Sequence, residues 1–306
     1  MRIVSVGELL WDVFPDSERL GGAPFNFSAH AVRLGHEVFF LSAVGQDDRG
    51  RAALARAAGI GLPVEYIQQV PDAPTGAVTV QLDGEGKPSF TIHRPAAYDY
   101  LHIGPRARAR VAALEPHWIY HGTLHASEPR ILELIRELTE AMPAARRFYD
   151  INLRPGCYTP ALVDELTRRA NVVKLNDDEA TAVDAMFGLR HGSLEEFCRD
   201  WSARLGWEAV CITRGADGCA ILAGGVYAEA PGYAVRVVDT VGSGDAFAAA
   251  FLHGLSQGWP PERIGDFANR LGAVVASRAG AVPDWTLADC ESLGYSAAKA
   301  RGKSLS

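Results

Sequence analysis

The sequence predicts an α/β protein: a mostly parallel sheet with helices on both faces, plus a small β-sheet standing off it. Three observations carry this. Short apolar runs resembling buried strands recur at residues 3–6, 37–43, 118–121, 147–149, 172–175 and 209–213. Between most of them, apolar residues fall three and four apart, as in 26–34, 50–58 and 128–141. Strand alternating with helix is the pattern of a parallel sheet covered on both faces. Such sheets bind ligands at the carboxyl ends of their strands. The third observation is a break in that rhythm. From about residue 64 to 98, the runs 64–70, 76–82 and 89–94 alternate with period two, and Asp83-Gly84-Glu85-Gly86 reads as the hairpin turn joining the last two. An inserted sheet of this kind serves as a lid, as an oligomerisation surface, or as both, unless it merely decorates the surface.

Composition sets the bounds. The 306 residues suit one large α/β domain with a small appendage. Hydrophobic content of 48% and charged content of 22% are ordinary for a soluble globular chain. A net charge of −7 argues against a nucleic-acid-binding face, which is usually basic. The five cysteines are odd in number and show no C-x-x-C spacing, so small buried hydrophobes in a reducing compartment are expected. The chain opens directly into a strand-like run, and no stretch approaches the ~20 apolar residues of a membrane span. A soluble cytoplasmic protein is the expectation. Residues 296–306 are small, polar and basic, and are expected to fray.

The most informative segment is Val237-Val238-Asp239-Thr240-Val241-Gly242-Ser243-Gly244-Asp245-Ala246-Phe247, which runs into an alanine-rich stretch of strong helix formers. Its glycines therefore sit where a loop becomes a helix N-terminus. There the first amides have no intrahelical partner and the dipole is positive. Glycine lets a ligand approach the backbone, so this is an anion site. Asp245 beside it has two readings. A carboxylate next to a bound phosphate earns its place by taking the proton of an attacking hydroxyl, or it simply caps the helix. Neither G-x-x-x-x-G-K-[ST] nor G-x-G-x-x-G is present, which excludes a Walker A loop and disfavours a dinucleotide-binding dehydrogenase.

Near the N-terminus, Gly21-Gly22-Ala23-Pro24-Phe25-Asn26 precedes a helix. Paired glycines let a substrate lie against the backbone, and Asn26 offers both donor and acceptor. Asp12, in Gly7-Glu8-Leu9-Leu10-Trp11-Asp12, follows the first strand and suits two neighbouring hydroxyls; a turn aspartate and a helix-capping Asn26 are the plainer alternatives. Phe25 and Phe27 are expected to pack into the core.

These two glycine segments, in this order and separated by most of the chain, resemble the signature segments of the ribokinase-like (pfkB-type) carbohydrate kinases. The resemblance runs from about residue 2 to 282. It implies a ribokinase-like fold for residues 1–306, with lid strands at about 11–22 and 64–98 and possible homodimerisation through them. It implies an ATP- and Mg2+-dependent kinase in which Asp245 is the catalytic base and the amides of Gly242, Ser243 and Gly244 form an anion hole. Asp12, Gly22 and Asn26 match sugar contacts. Asn176 and Glu179 resemble an N-x-x-E element that acts indirectly on magnesium and phosphate. Thr213, Gly215 and Gly218 resemble a nucleotide-side loop, and Asn269 with Ala279-Gly280-Ala281-Val282 the purine-pocket wall. Asp239 and Val241 match the place where members often hold K+.

Asp150-Ile151-Asn152-Leu153-Arg154-Pro155 resembles a run found in fructokinases and 2-keto-3-deoxygluconate kinases. Arg154 suits a phosphate or a substrate carboxylate. The opening around Glu8 and Trp11 resembles fructokinases more closely, so fructose leads and 2-keto-3-deoxygluconate or ribose follows. His93, Arg94 and Tyr98 either reach the pocket or end a solvated strand. His117, His121 and His125 are four apart but cross a strand and a Gly122-Thr123 break, so no zinc site is expected there; His121 is a candidate pocket residue instead. The rival from another class is a non-catalytic sugar or nucleotide sensor, which an intact Asp245 and glycine loop disfavour.

Overall fold

The structure is a computed structural model that describes residues 1–82 and 88–293. The hairpin turn expected at 83–86 and the frayed end expected at 296–306 lie outside the described residues. The strands are β1 (Arg2–Val6), β2 (Leu10–Val13), β3 (Glu18–Gly21), β4 (Glu37–Gly45), β5 (Ile67–Val70), β6 (Gly76–Leu82), β7 (Pro88–His93), β8 (Trp118–Gly122), β9 (Arg146–Asp150), β10 (Val172–Asn176), β11 (Ala209–Thr213), β12 (Cys219–Ala223) and β13 (Val226–Ala230). The helices are α1 (Ala23–Arg33), α2 (Asp48–Ile60), α3 (Pro105–Ala112), α4 (Thr123–Ala126), α5 (Pro129–Ala141), α6 (Pro160–Arg169), α7 (Asp177–Met186), α8 (Leu194–Leu205), α9 (Ser243–Ser256), α10 (Pro261–Ala276) and α11 (Leu287–Ser292).

Nine strands form the main sheet, in the order β13-β12-β11-β10-β9-β8-β1-β4-β5. It is parallel from β11 to β5 and antiparallel only at β12 and β13. Both faces are apolar because both are covered. Ile3 points into one core with Phe27, Phe148 and Phe251, while Val4 and Val6 point into the other with Ile119, Tyr149 and Ile212. This alternation is the period of two imposed by the pleat. The fold is therefore the ribokinase-like α/β arrangement, with a separate small sheet in the order β3-β2-β6-β7.

Residues 64–70 depart from the expected lid. Residues 64–66 form a 3-10 turn, and β5 pairs in parallel with β4, Ser42 opposite Ile67, on the edge of the main sheet. Ile67 is buried in the main core. Period two marks a half-buried strand but does not say which sheet it joins. The small sheet instead combines β2 and β3 with β6 and β7.

Two helices position the site. Helix α1 begins at Ala23-Pro24, with proline in its first turn, where the lost amide proton has no intrahelical use. Phe25 and Phe27 are core residues, and Phe27 stacks on Tyr120 at 3.7 Å between ring centroids. Helix α9 is apolar nearly all round, from Ala246 to Leu252, so it is buried against α1 and α10. Its N-cap, Gly242, has φ 81°, and a Cβ there would come within 2.4 Å of the Ala281 carbonyl oxygen. Only glycine fits. Among the described residues no helix is long and apolar enough to cross a membrane.

Candidate active site

A cavity of about 730 Å³ opens at the carboxyl ends of the main-sheet strands, under the small sheet. Asn176 and Thr213, the last residues of β10 and β11, line its floor together with Lys174. Gly22, the N-cap of α1, with Ala23 and Asn26 of that helix forms one wall; residues 240–242, Gly244 and Asp245 form another. The small sheet contributes Leu10, Asp12, Val78, Thr91 and Ile92. The two glycine segments, far apart in sequence, thus face each other across one space.

Asp245 is the third residue of α9, and that helix has no side-chain cap. Its carboxylate does not fold back on its own N-terminus but accepts a hydrogen bond from Asn26 Nδ2 at 2.8 Å. The capping alternative is therefore not the geometry found. Burial raises the Asp245 pKa to about 6, with the Asp150 charge adding to the rise; the Asn26 bond, Lys174 and Arg154 oppose it. A carboxylate tuned toward neutrality and facing a cavity suits general-base chemistry.

Asp12, Glu8 and Glu179 also line the same space. Burial lifts Asp12 to about 6 despite Arg154. Asp12 lies within β2 of the small sheet rather than at the end of β1. Glu8, in the turn between those strands, is pushed up by burial to about 7. Its Oε2 is buried without a partner, as is Oδ1 of Asn26. Buried polar atoms of this kind are normally paired, so both oxygens await a ligand or water. Arg154 supplies the positive charge on this side. The chain reaches it through Asn152, whose φ of 41° is a left-handed turn that asparagine tolerates.

Under the anion-binding turn lies Lys174. Its ammonium donates to both oxygens of Asp150, at 3.0 and 3.2 Å, and stands 3.9 Å from where a Gly244 Cβ would be. Tyr120 also donates to Asp150 at 3.1 Å. Burial alone would lower the lysine pKa, but Asp150 and Glu179 raise it on balance, so it stays charged. From the sequence, Glu8 and Asp150 stand only within runs that resemble fructokinases, and neither they nor Lys174 is assigned a role. The signal for Lys174 was a lysine inside the apolar run Val-Val-Lys-Leu-Asn.

The other expected residues divide. Asn176 caps α7, its side chain accepting from Glu179 N, while Glu179 accepts from Asn176 N and Leu153 N. Each Glu179 oxygen thus accepts one backbone amide, and the residue lines the cavity. Among the described residues there is no cluster of three or more metal-ligating side chains. Gly215 and Gly218 form the β11–β12 turn, and a Cβ on Gly218 would meet the Ala230 carbonyl oxygen at 2.0 Å. Asn269 donates to the carbonyls of Ala230 and Pro231 at 3.1 Å, so its side chain braces the end of β13 and is not among the cavity-lining residues. Asp239 accepts from Val241 N at 3.0 Å, from Gly280 N at 3.1 Å and from the Arg19 guanidinium. Its carboxylate is thus already engaged where the resemblance implied K+.

His93 and Arg94 turn away from the cavity. His93 bonds Thr79, and Arg94 pairs with Asp99 and donates to Ser127. Tyr98 is fully buried behind Leu10 and Val78. The small sheet reaches the cavity with Val78, Thr91 and Ile92 instead. His121 stacks on Tyr149 outside the lining, His125 bonds the Tyr98 carbonyl, and His117 accepts from Arg2 N.

A probable fructokinase-5 of Arabidopsis thaliana is 27% identical, with 97% of this chain and 98% of the relative covered. The aminoimidazole riboside kinase of Salmonella typhimurium is 26% identical, covering 92% and 91%. The crystal structure of a fructokinase with bound ATP from Xylella fastidiosa superposes with a TM-score of 0.82 at 24% identity, over 95% of this chain and 97% of that one. Residues 3–287 match the model of the pfkB family carbohydrate kinases. The chain belongs to that family and is a sugar kinase, a phosphotransferase acting on an alcohol group.

Proposed function

We propose that the chain transfers the γ-phosphoryl group of ATP to a primary hydroxyl of a small neutral sugar, with fructose the leading substrate. The observation that carries this is Asp245, partly buried at the head of α9 with no cap bond to its own helix and held by Asn26 at the cavity wall. The sugar lies among Asp12, Gly22, Asn26 and Glu8. Its reacting hydroxyl gives its proton to Asp245 and attacks the γ-phosphorus in line as the bond to ADP breaks. The amides at 242–244, the α9 dipole and Lys174 offset negative charge on the group in transit. Magnesium arriving with ATP supplies further charge neutralisation at the phosphates. Val78, Thr91 and Ile92 exclude water that would otherwise hydrolyse ATP.

The charge balance supports a neutral substrate. Glu8, Asp12 and Asp245 face the sugar space with Arg154 as counter-charge. A sugar acid would set its carboxylate against three carboxyls. Relatives named for fructose support the same reading, while the riboside kinase shows that this level of identity spans other acceptors.

The test is Asp245→Asn, assayed for sugar-dependent ADP release across a panel of sugars. The expected loss is about 10³-fold in kcat with little change in the sugar KM, within the range for a positioned base. The wild-type rate should rise with pH through about 6 as Asp245 ionises. Near-normal turnover of the variant would overturn the base assignment. Binding of sugar and ATP without ADP release by the wild type would favour the sensor instead.

A further inference from the structure

Arg19 and Asp239 are 220 positions apart and form an ion pair. Arg19 lies on β3 of the small sheet, directly opposite the cavity-lining Asp12 in the β2–β3 register. Its guanidinium also sits over the Phe14 ring, 5.0 Å from the centroid, which limits its freedom. Asp239 begins the loop that leads into α9. One of its oxygens accepts from Val241 N; the other accepts from Gly280 N and Arg19. A single carboxylate therefore joins three pieces of chain: the lid, the anion-binding loop, and the 280–281 segment against which Gly242 is wedged.

Asp239 is mostly buried, its side chain 14% exposed, so it needs a compensating positive charge. The resemblance implied that a K+ ion provides it. Here the charge comes from the chain itself, and it comes from the lid. We propose that Arg19 is a positioning residue whose guanidinium takes the place of a monovalent cation at Asp239, so that the loop 239–244 is held in its anion-binding form by the lid being down. The consequence is coupling: the lid that encloses the sugar also carries the charge that sets the amides of Gly242, Ser243 and Gly244. This rests on the kinase reading above only for its activity arm.

The experiment compares the full-length wild type with Arg19→Ala and Arg19→Lys in chloride salts of K+, Na+ and tetramethylammonium at equal ionic strength. Two readouts are taken: kcat and KM with Mg-ATP and the best sugar, and the thermal midpoint without substrates. The wild type is expected to vary by less than about twofold in kcat between salts, with no K+-specific shift in midpoint. Arg19→Ala should lose at least about tenfold in kcat in tetramethylammonium, more than it changes either KM, and should gain a K+-specific rise in midpoint as the vacated carboxylate takes up the ion. Arg19→Lys, which keeps the charge, should retain most of the wild-type rate. A wild-type kcat stimulated more than fivefold by K+, an Arg19→Ala rate within twofold of wild type, or an Arg19→Ala midpoint blind to K+ would each overturn the proposal. If no sugar supports ADP release by the wild type, the substrate reading fails, and the midpoints still decide this one.

Discussion

The main sheet gives the cavity a floor made of residues that are also core, whereas the small sheet gives it a roof backed, among the described residues, by one small cluster of its own. Lys174 and Asp150 are 7% and 1% exposed, and Tyr120, which donates to Asp150, is itself stacked on Phe27. Among the described residues, the roof rests on a cluster of Leu10, Val78, Ala96 and Tyr98, with Ile92 partly buried against it. The difference suits the chemistry. Groups that meet the transferring phosphoryl must not move, so they sit where movement would disturb the core. Groups that enclose the sugar must open to admit it, so they sit where opening disturbs little.

The floor gives the largest expected effect. Lys174→Met removes the ammonium and leaves Asp150 buried with only Tyr120 to donate to it. Breaking one side of a buried pair costs about 3–5 kcal/mol, and urea unfolding should show a loss of that order. Adding Asp150→Asn should recover much of the stability, because the unpaired charge is gone, while turnover stays low for want of the cation beneath Gly244. If Lys174→Met unfolds at the wild-type urea midpoint, the floor is not the rigid element described here.

Glu8 sits at the junction of the two sheets, and its effect has the opposite sign. Burial raises its carboxyl from the ordinary 4.5 to about 7. Below pH 4.5 the group is protonated whether the chain is folded or not, and its contribution is fully favourable. As pH rises from 4.5 through 7 the unfolded chain ionises first, and that stability is lost. That rise from 4.5 to about 7 corresponds to about 3 kcal/mol. Glu8→Gln cannot ionise, so it should be more stable than wild type at pH 8 by up to about that amount, with the two curves converging near pH 4.5. Its sugar KM should rise, because the proposed sugar position sets a hydroxyl against Glu8 Oε2. A variant less stable than wild type at pH 8 would show that Glu8 is satisfied as a carboxylate and serves only the start of α1.

The two walls were more legible in the sequence than the floor or the roof. Gly242 and Gly244 could be read because a glycine loop running into a strong helix former marks an anion-binding helix N-terminus, Asp245 kept two readings until the family resemblance was added, and Asn26 stood out because a second glycine pair preceded its helix. Lys174 could not be assigned a role, because its partner Asp150 lies on the neighbouring strand and their contact exists only once β9 and β10 pair. The roof was harder. Residues 76–82 and 64–70 share the same alternation, yet one strand joins the lid and the other the main sheet. Which lid residues reach the cavity could not be read from alternation alone: Thr91 and Ile92, neighbours on opposite faces of β7, both line it, while His93 bonds Thr79. Asn269 fell in a segment that the resemblance placed at the purine pocket, but its side-chain amide is spent on two carbonyls at the end of β13.

The roof should yield the smallest change in stability and a distinct change in function. Ile92 faces the cavity and packs on Val78 and Leu10 from a partly buried position. Truncating it to alanine removes less buried apolar surface than a core deletion would, so the unfolding free energy should fall by about 1 kcal/mol or less. Its loss instead opens the enclosure. The sugar KM is expected to rise by roughly three- to tenfold, and ADP release without sugar should increase relative to the sugar-dependent rate as water gains access. A Lys174 variant should show the reverse pattern, with stability lost first and no rise in futile hydrolysis. If Ile92→Ala instead lowers stability as much as Lys174→Met, the two sheets share one rigid core, and the coupling through Arg19 would have no independent lid to report.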